Sequence, residues 1–277
     1  MIIWLASYPK SGNTLLRSIL ASYLFSNDGN LKLDYIYKIR QFPSIDDFQK
    51  LNIDLSNEKE VFQNFIEAQK IINKDKKIKF IKTHSSLARI NDCNFTDFNN
   101  SLGAIYVVRD PRNVVTSFAH HYNLSTGQAV SVMIDPKRWL VKTDLVYKTF
   151  MSSWSINYNS WKQMKNKVLF VKYEDLLNRK KTTLIKIFKF LDELGFKNLK
   201  LDMDKLNKVI ESSDFSTMQK LEKNEDFKEG VIDQETGKRK TFFRLGPKND
   251  WKQILDNKYK EKIEIVFKKE MTELGYL

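Results

Sequence analysis

A short loop near the amino terminus carries residue types that bind a phosphate-like anion. Five such residues follow the first apolar run of the chain, residues 2–6: Lys10, Ser11, Gly12, Asn13 and Thr14. Glycine lets the backbone turn sharply toward a ligand, and the unpaired N–H groups that open the following helix, residues 14–17, point at an anion placed there. Lys10 adds charge, and Ser11, Asn13 and Thr14 add side-chain hydrogen bonds. The sequence therefore predicts an anion-binding loop between a strand and a helix.

The order of these residues separates the loop from an ATP-binding P-loop. A Walker A loop reads G-x-x-x-x-G-K-[ST], with its lysine directly after the second glycine. Here Lys10 precedes Gly12 by two positions, and no glycine occurs earlier in the chain. The loop is therefore not built for ATP in the usual way. A P-loop nucleotide kinase or phosphotransferase with Asp110 as magnesium ligand is the alternative, although Arg109 would place a cation beside that metal.

A second candidate anion site follows the apolar run at residues 102–108. Arg109 closes the run, Pro111 suits the first turn of a new helix, and Ser117 follows Pro111 by six residues. This spacing lets Arg109 and Ser117 reach opposite sides of one anion. Arginine is suited to this role because its planar guanidinium binds phosphate through two hydrogen bonds at once.

Lys82 and His84 lie at the end of another apolar run, residues 78–81. Side chains alternate along a strand, so Lys82 and His84 share one face and point toward a site beyond the strand end. Histidine has the intrinsic pKa to accept a proton from a hydroxyl near neutral pH. Because the chain contains three histidines, His84, His120 and His121, the choice of a base is narrow.

The composition favours an anionic ligand and excludes several kinds of site. The 277 residues include 47 Lys and Arg against 34 Asp and Glu, a formal net charge of +13. The basic residues are scattered, so nucleic acid is not predicted as a partner. Cys93 is the only cysteine, which excludes an intrachain disulfide and a cysteine-cluster metal site. With no visible signal peptide and no apolar run of about 18 residues, we expect a cytoplasmic protein without a transmembrane segment.

Strand and helix patterns alternate along the chain, as in an α/β domain. The predicted strands are residues 2–6, 78–81, 102–108 and 168–171. The predicted helices are residues 14–25, 58–73, 147–164, 182–194 and 251–274, besides the one opening at Pro111. The polar segment 223–241 predicts a long mobile loop, typical of a lid. We therefore expect one α/β domain over residues 1–277, with a central parallel sheet flanked by helices and ligand groups at the carboxyl ends of its strands.

Several segments together resemble the sulfotransferases that use 3′-phosphoadenosine-5′-phosphosulfate (PAPS). The segment Y-P-K-S-G-N-T, which ends at Thr14, resembles the 5′-phosphosulfate loop of that family. Five later segments resemble further family elements in the expected order: K-T-H ending at His84, R-D-P-R-N-V-V-T-S-F from Arg109, Y-E-D-L from Tyr173, S-D-F-S-T-M from Ser213 and R-L-G-P-K-N-D-W-K from Arg244. The resemblance spans residues 4–252 and implies a P-loop-like fold and a PAPS-dependent sulfotransferase.

The resemblance also implies a role for each matching residue. His84 would be the general base, Lys10 would stabilise the leaving oxygen, and Lys82 would orient the sulfuryl group. The implied nucleotide-binding residues are Lys10, Ser11, Gly12, Asn13, Thr14, Leu15, Arg109, Ser117, Tyr173, Ser213, Phe215, Met218, Arg244, Leu245 and Gly246. Among these, Arg109 and Ser117 would hold the 3′-phosphate, while Phe215 and Met218 would flank adenine. PAPS is then the co-substrate, and no metal is implied.

The chain departs from the family pattern at several positions. Leu15 stands where cytosolic members carry a tryptophan that stacks on adenine, so base affinity is expected to depend more on Phe215. Leu245 replaces a lysine and Asn249 a second glycine, and Lys248 is the candidate to restore the lost charge. The terminal dimer motif K-x-x-x-T-V-x-x-x-E of animal members is missing, so the sequence predicts no dimer of that kind and leaves the oligomeric state open.

The acceptor of the sulfuryl group is not readable from a motif. Aromatic and basic residues outside the motifs favour a hydroxyl or amine on a small molecule or glycoconjugate that is partly apolar or carries an anionic group. The candidate lining comprises the 223–241 loop together with Phe42, Phe118, His121, Tyr122 and Trp139.

Overall fold

Four parallel strands form the centre of the protein. The computed structural model describes residues 1–197, 201–225, 227, 229–232 and 236–277. Its strands are β1 (Ile2–Ser7), β2 (Lys79–Thr83), β3 (Arg89–Ile90), β4 (Cys93–Asn94), β5 (Ser101–Val108), β6 (Trp139–Leu140), β7 (Thr149–Phe150) and β8 (Val168–Lys172). The central sheet has the order β2-β1-β5-β8, while β3 with β4 and β6 with β7 form short antiparallel pairs.

Helices surround this sheet. In chain order they are α1 (Asn13–Phe25), α2 (Leu33–Tyr37), α3 (Ile45–Gln49), α4 (Glu58–Gln63), α5 (Phe65–Ile72), α6 (Pro111–Tyr122), α7 (Thr126–Ile134), α8 (Trp154–Trp161), α9 (Tyr173–Asn178), α10 (Lys180–Glu193), α11 (Met203–Ser212), α12 (Phe215–Asn224), α13 (Trp251–Ile254), α14 (Asn257–Val266) and α15 (Lys268–Glu273). Two 3-10 helices, Lys162–Lys167 and Gly246–Lys248, complete the set found among the described residues.

The apolar strands are continuous because both faces of the sheet are buried. Successive side chains of β1 enter different cores: Trp4 packs in one cluster with Tyr106, and Leu5 packs in the other with Val107. The same alternation holds along β5, which pairs with β1 in parallel. The predicted α/β fold with a central parallel sheet flanked by helices is confirmed.

The topology places four chain segments at the carboxyl ends of the central strands. Strand β1 lies between β2 and β5, so the chain leaves β1 toward one neighbour and returns on its other side. Such a switch point opens a crevice at the carboxyl ends of the strands. The segments that follow β1, β2, β5 and β8 begin at Tyr8, His84, Arg109 and Tyr173, so the motif residues of four separate regions converge there.

The helix predicted over residues 58–73 is two helices, α4 and α5, which meet at Asn64. The side-chain amide of Asn64 donates to the Glu60 carbonyl at 2.9 Å. An asparagine that binds nearby backbone competes with the helical hydrogen bonds. The prediction of one long helix was therefore wrong at this residue.

The helix predicted over residues 147–164 begins seven residues late, at Trp154. The preceding backbone is held elsewhere, because the N–H groups of Met151 and Ser152 donate to the Arg138 carbonyl at 3.0 and 2.9 Å. The Ser153 hydroxyl then caps α8 by accepting from the N–H of Ile156. Residues 149–152 therefore belong to or directly follow the strand pair of β6 with β7 and do not form the predicted helix.

The helix predicted over residues 251–274 is three helices, α13, α14 and α15. The backbone leaves the helical conformation at Leu255, which is extended, and again at Phe267. Both side chains are buried in the same core. The chain therefore bends where these two residues enter the core, which an amphipathic pattern alone does not reveal.

Candidate active site

A cavity of about 970 Å³ opens where the four central strands end. It brings together every predicted catalytic and nucleotide-binding residue except Ser11. These lining residues are Lys10, Gly12, Asn13, Thr14, Leu15, Lys82, His84, Arg109, Ser117, Tyr173, Ser213, Phe215, Met218, Arg244, Leu245 and Gly246. Residues from the first, middle and last thirds of the sequence thus line one cavity.

Gly12 is required by the close approach of an aromatic ring. Its φ of 104° lies in the region that favours glycine, and a Cβ built there would lie 2.4 Å from Cδ2 of Tyr173. The guanidinium of Arg109 lies over the same Tyr173 ring, with its Cζ 4.4 Å from the ring centre. The loop after β1 and the residue after β5 are therefore packed on one tyrosine.

Arg109 is held in place but keeps hydrogen-bonding capacity. One terminal nitrogen, Nη1, donates to the Lys10 carbonyl at 3.1 Å. The buried Nε has no partner within the described part of the chain. Since buried donors in proteins are almost always paired, this guanidinium fits a site for an anionic ligand.

The side chains of Ser11 and Asn13 differ from the expectation that both bind an anion directly. The Asn13 amide donates inward, to the Leu5 carbonyl at 2.9 Å and to the Ser7 hydroxyl at 3.2 Å. Ser11 does not line the cavity, and its buried hydroxyl has no described partner. Asn13 therefore fastens the loop to β1, and the prediction of its side-chain contact with the anion was wrong.

His84 is oriented by Ser7. Its Nδ1 lies 2.9 Å from the Ser7 carbonyl oxygen and 3.3 Å from the Ser7 hydroxyl oxygen. A carbonyl only accepts, so Nδ1 carries the proton and Nε2 keeps a lone pair. Burial, and then the charge of Lys82, lower the pKa of His84 to about 3. The imidazole is therefore neutral across the physiological pH range, with the Nε2 lone pair free.

Lys10 lies in a crowded basic environment. Its Nζ is 3.7 Å from the centre of the Phe242 ring. Burial, followed by the charges of Lys82 and Arg109, lowers the pKa of Lys10 to about 7, although Glu229 opposes this shift. Burial likewise lowers the pKa of Lys82. An anion placed among these groups would be attracted strongly and would restore their charged forms.

The family model for the sulfotransferase domain matches residues 2–275 of this chain. The chain belongs to the sulfotransferase family. It is 24% identical to sulfotransferase 1 family member D1 of Mus musculus over 276 residues, 97% of this chain and 83% of the relative. It is 25% identical to sulfotransferase 1B1 of Canis lupus familiaris over 279 residues, with shares of 98% and 83%. The solved structure of mouse sulfotransferase SULT7A1 complexed with PAP has the same fold, with a TM-score of 0.62, 22% identity and coverage of 99% and 85%.

The protein is accordingly a PAPS-dependent sulfotransferase, and the kinase alternative is not favoured. The structure gives a physical reason as well. Asp110, the magnesium ligand of that alternative, accepts from the N–H of Arg112 at the start of α6 and pairs with the Arg112 guanidinium at 2.7 Å. Its carboxylate is already engaged. No cluster of three or more His, Cys, Asp or Glu able to hold a metal occurs among the described residues.

One end of the sulfotransferase cavity is built by α12 and the segment that carries Arg244. A Cβ at Gly246, where φ is 51°, would lie 2.3 Å from the Phe215 ring, so glycine is needed for this contact. The side-chain amide of Gln219 donates to the Phe243 carbonyl at 2.7 Å. Met218 lines the cavity and is almost fully buried. Ser213 lines the cavity too, but its hydroxyl donates to the Val209 carbonyl at 2.6 Å.

Asn249 and Lys248 of the last motif lie in different environments. Asn249, in place of a glycine, is buried and accepts from the Thr116 hydroxyl at 2.8 Å while its amide donates to the Asn113 carbonyl at 2.8 Å. It fixes this segment to α6. Lys248 is exposed and is not among the cavity-lining residues described, so its role in restoring the lost charge stays a prediction.

Only part of the predicted acceptor lining faces the cavity. His121 and Tyr122 line it, and burial lowers the pKa of His121 to about 3. Phe42 and Phe118 are buried in the larger core, and Trp139 stacks on Phe62 with ring centres 5.4 Å apart. These three rings were wrongly predicted as lining, because their aromatic character serves packing.

The predicted loop 223–241 is described only in part. Helix α12 continues to Asn224, and Ile232 forms an isolated bridge with Arg239. Residues 226, 228 and 233–235 lie outside the described residues. The parts of the segment that line the cavity are Glu229, Val231, Lys240 and Thr241, so its role as a mobile lid stays a prediction.

Two charged residues were missed in the sequence: Glu229, which lines the cavity, and Arg17, which is not among the lining residues but pairs with Glu229. The Glu229 carboxylate lies between Arg17, Lys82 and Thr14. Arg17 had a detectable signal, because it is the only charged residue of its helix and lies three positions after Thr14, hence on the same side. Glu229 had none, because it comes from a polar segment with no periodicity.

Proposed function

We propose that the sulfotransferase binds PAPS with the phosphosulfate at residues 10–14 and the 3′-phosphate between Arg109 and Ser117. The loop after β1 supports the first assignment, because its N–H groups open α1 toward the cavity and Gly12 allows close approach. The unpaired Nε of Arg109 and the presence of Ser117 in the lining of the same cavity support the second. The 3′-phosphate would thus be bound next to Tyr173.

We place the adenine between Phe215, Met218 and Leu15. All three line the cavity, and Phe215 is held against Gly246. Stacking of a base on an aromatic ring contributes roughly 1–3 kcal/mol. Leu15 offers an apolar surface without a ring, so Phe215 carries most of this contribution. Arg244 and Leu245 close the site from the carboxyl-terminal segment.

His84 is the proposed general base, and the tautomer imposed by Ser7 is the observation that carries this assignment. The acceptor oxygen forms a bond to sulfur as the bond from sulfur to the 5′-phosphate oxygen breaks, and the acceptor proton passes to Nε2 of His84. A base fixed in orientation contributes typically 10²–10⁴-fold to such a step. Lys10 stabilises the charge that develops on the leaving phosphate oxygen. Lys82, beside His84, orients the sulfuryl group.

The acceptor is a small molecule, and we propose that it presents a hydroxyl or an amine on a partly apolar body. The apolar part of the cavity lining supports this class, because it includes Leu140, Val141 and Val146 together with Tyr122. An apolar wall beside His121 and polar groups suits an alcohol, phenol or amine with a hydrocarbon portion. A cytoplasmic location stays a prediction. The described residues contain no helix with the length and apolar character needed to cross a bilayer.

A transfer assay tests this proposal directly. The wild-type protein is incubated with sulfur-labelled PAPS and a panel of phenols, aliphatic alcohols, amines and sugars, and the labelled product is separated from the donor. We expect transfer to apolar alcohols, phenols or amines and none in a His84→Ala control with unchanged PAP binding. Transfer restricted to highly polar sugars would contradict the acceptor class, and full activity of His84→Ala would contradict the base.

A further inference from the structure

A carboxylate occupies the centre of the basic cluster in the cavity. The Glu229 side chain accepts from the Thr14 hydroxyl at 3.1 Å and from Lys82 Nζ at 3.2 Å. Its Oε1 also accepts from Nη1 of Arg17. Burial alone would raise the pKa of Glu229, but Lys82 and Arg17 outweigh it and hold the pKa well below its ordinary value. Glu229 is therefore an anion bound within the protein.

Arg17 is buried within this cluster and held in a fixed orientation. Its side chain is only 3% exposed, and Nη2 donates to the Ile36 carbonyl at 3.0 Å. That bond fixes the plane of the guanidinium and directs Nη1 toward Glu229. The remaining donor, Nε, is buried without a partner among the described residues. A rigid, desolvated guanidinium is the group that best recognises a planar or tetrahedral oxyanion.

The donors around Glu229 match those that a sulfuryl group requires. A carboxylate presents two oxygens with one negative charge, and the terminal sulfuryl group of a phosphosulfate presents three oxygens with one negative charge. Both accept hydrogen bonds only. Thr14 belongs at the same time to the anion-binding loop, so the Glu229 position adjoins the place proposed for the 5′-phosphate.

We propose that Arg17, together with Lys82, binds the sulfuryl group of the donor, and that Glu229 fills this subsite in the free enzyme and leaves it when the donor binds. The inference rests on the proposed binding of PAPS in this cavity. It makes Arg17 a further catalytic residue, because its guanidinium touches the group that is transferred. It makes Glu229 an internal competitor, because two anions cannot share one cluster of donors at close range without strong repulsion.

The inference predicts different binding behaviour for the donor, PAPS, and the product nucleotide, PAP. PAP lacks the sulfuryl group, so Glu229 can stay in the subsite while PAP is bound. PAPS must expel Glu229. Removing the charge of Glu229 should therefore favour PAPS binding much more than PAP binding, and removing Arg17 should harm PAPS binding and turnover while leaving PAP binding intact.

The experiment uses Glu229→Gln, Arg17→Met and the double variant, with dissociation constants for PAPS and PAP measured by calorimetry without acceptor and kcat measured with it. We expect Glu229→Gln to tighten PAPS binding about tenfold and PAP binding less than twofold. In the Glu229→Gln background, Arg17→Met should weaken PAPS binding at least tenfold, lower kcat about 100-fold and leave the Kd of PAP within twofold. Thermal unfolding checks that each variant is folded.

The double variant keeps the test decisive even where Arg17→Met alone leaves Glu229 unpaired and fails to fold. If the double variant has the kcat of Glu229→Gln, Arg17 serves only as a partner for Glu229 and the inference is overturned. Equal changes in PAPS and PAP affinity in Glu229→Gln would also overturn it. Arg89→Met removes an exposed arginine paired with Asp92 and should change neither constant. If the wild-type protein does not bind PAPS, the proposed function itself is contradicted. Failure of the inference and failure of the proposed function are therefore distinguishable.

Discussion

Nucleotide binding should depend on pH through one lysine. Lys10 has its pKa lowered to about 7, chiefly by burial and also by the charges of Lys82 and Arg109. Near neutral pH the free enzyme is therefore an even mixture of charged and neutral Lys10. A phosphate bound beside it favours the charged form and raises its pKa again. Binding must then take up a proton.

The size of the effect follows from this pKa. At pH 8 about nine-tenths of the free enzyme has a neutral Lys10, so PAP binding should take up roughly 0.9 proton. Above pH 8 the Kd of PAP should rise about tenfold per pH unit, which is about 1.4 kcal/mol of binding free energy for each unit. Below pH 7 the contribution is fully present. The phosphates of PAP add little above pH 7.5, because their last ionisation lies near pH 6.

Calorimetry in two buffers of different ionisation enthalpy measures the proton uptake, and titrations from pH 7 to 9.5 measure the Kd. Lys10→Arg is the matched control, since a guanidinium stays charged throughout this range. It should abolish the proton uptake and flatten the pH dependence. A wild-type Kd that is constant from pH 7.5 to 9.5, or the same uptake in Lys10→Arg, would refute the reasoning.

Three further expectations concern other residues of the site. The ring signals of His84 in an NMR titration should not shift between pH 5 and 8, because its pKa is lowered to about 3; a midpoint near pH 6.5 would contradict the burial argument. Gly12→Ala should lower the free energy of unfolding by at least about 1 kcal/mol more than Gly195→Ala does, since both residues have positive φ but only Gly12 meets the Tyr173 ring; equal losses by chemical denaturation would refute the close contact. Arg109→Met should weaken PAP by roughly 1.5–3 kcal/mol and AMP far less, and equal losses in calorimetry would remove Arg109 from the 3′-phosphate.

The sequence predicted well those features that depend on neighbours in the chain. The apolar run of β1, the turn at Gly12 and the start of α1 lie within fourteen residues and were each predicted from local chemistry. The central strands were predicted from their lengths and continuous apolar character, because both faces are covered. The ordered motifs then implied that four strand ends meet, and residues from these motifs line one cavity.

The sequence failed where individual side-chain contacts decide the structure. Asn64 and Phe267 interrupt patterns that look helical throughout, because a side-chain amide binds backbone at one and a side chain enters the core at the other. Phe42, Phe118 and Trp139 were assigned to the cavity from aromatic character alone. That character suits a pocket wall and a core equally well, so only the burial of each ring distinguishes the two.

By itself the sequence determined the fold class, the anion-binding loop and the residue types needed for transfer. Each of these depends on apolar spacing, backbone freedom or a side chain's intrinsic chemistry, which are properties of short segments. The tertiary structure decided the tautomer of His84, the lowered pKa of Lys10 and the meeting of Arg17 with Glu229. Those depend on desolvation and on charges brought together from positions as far apart as residues 17 and 229, and such distances in space are fixed only when the whole chain packs.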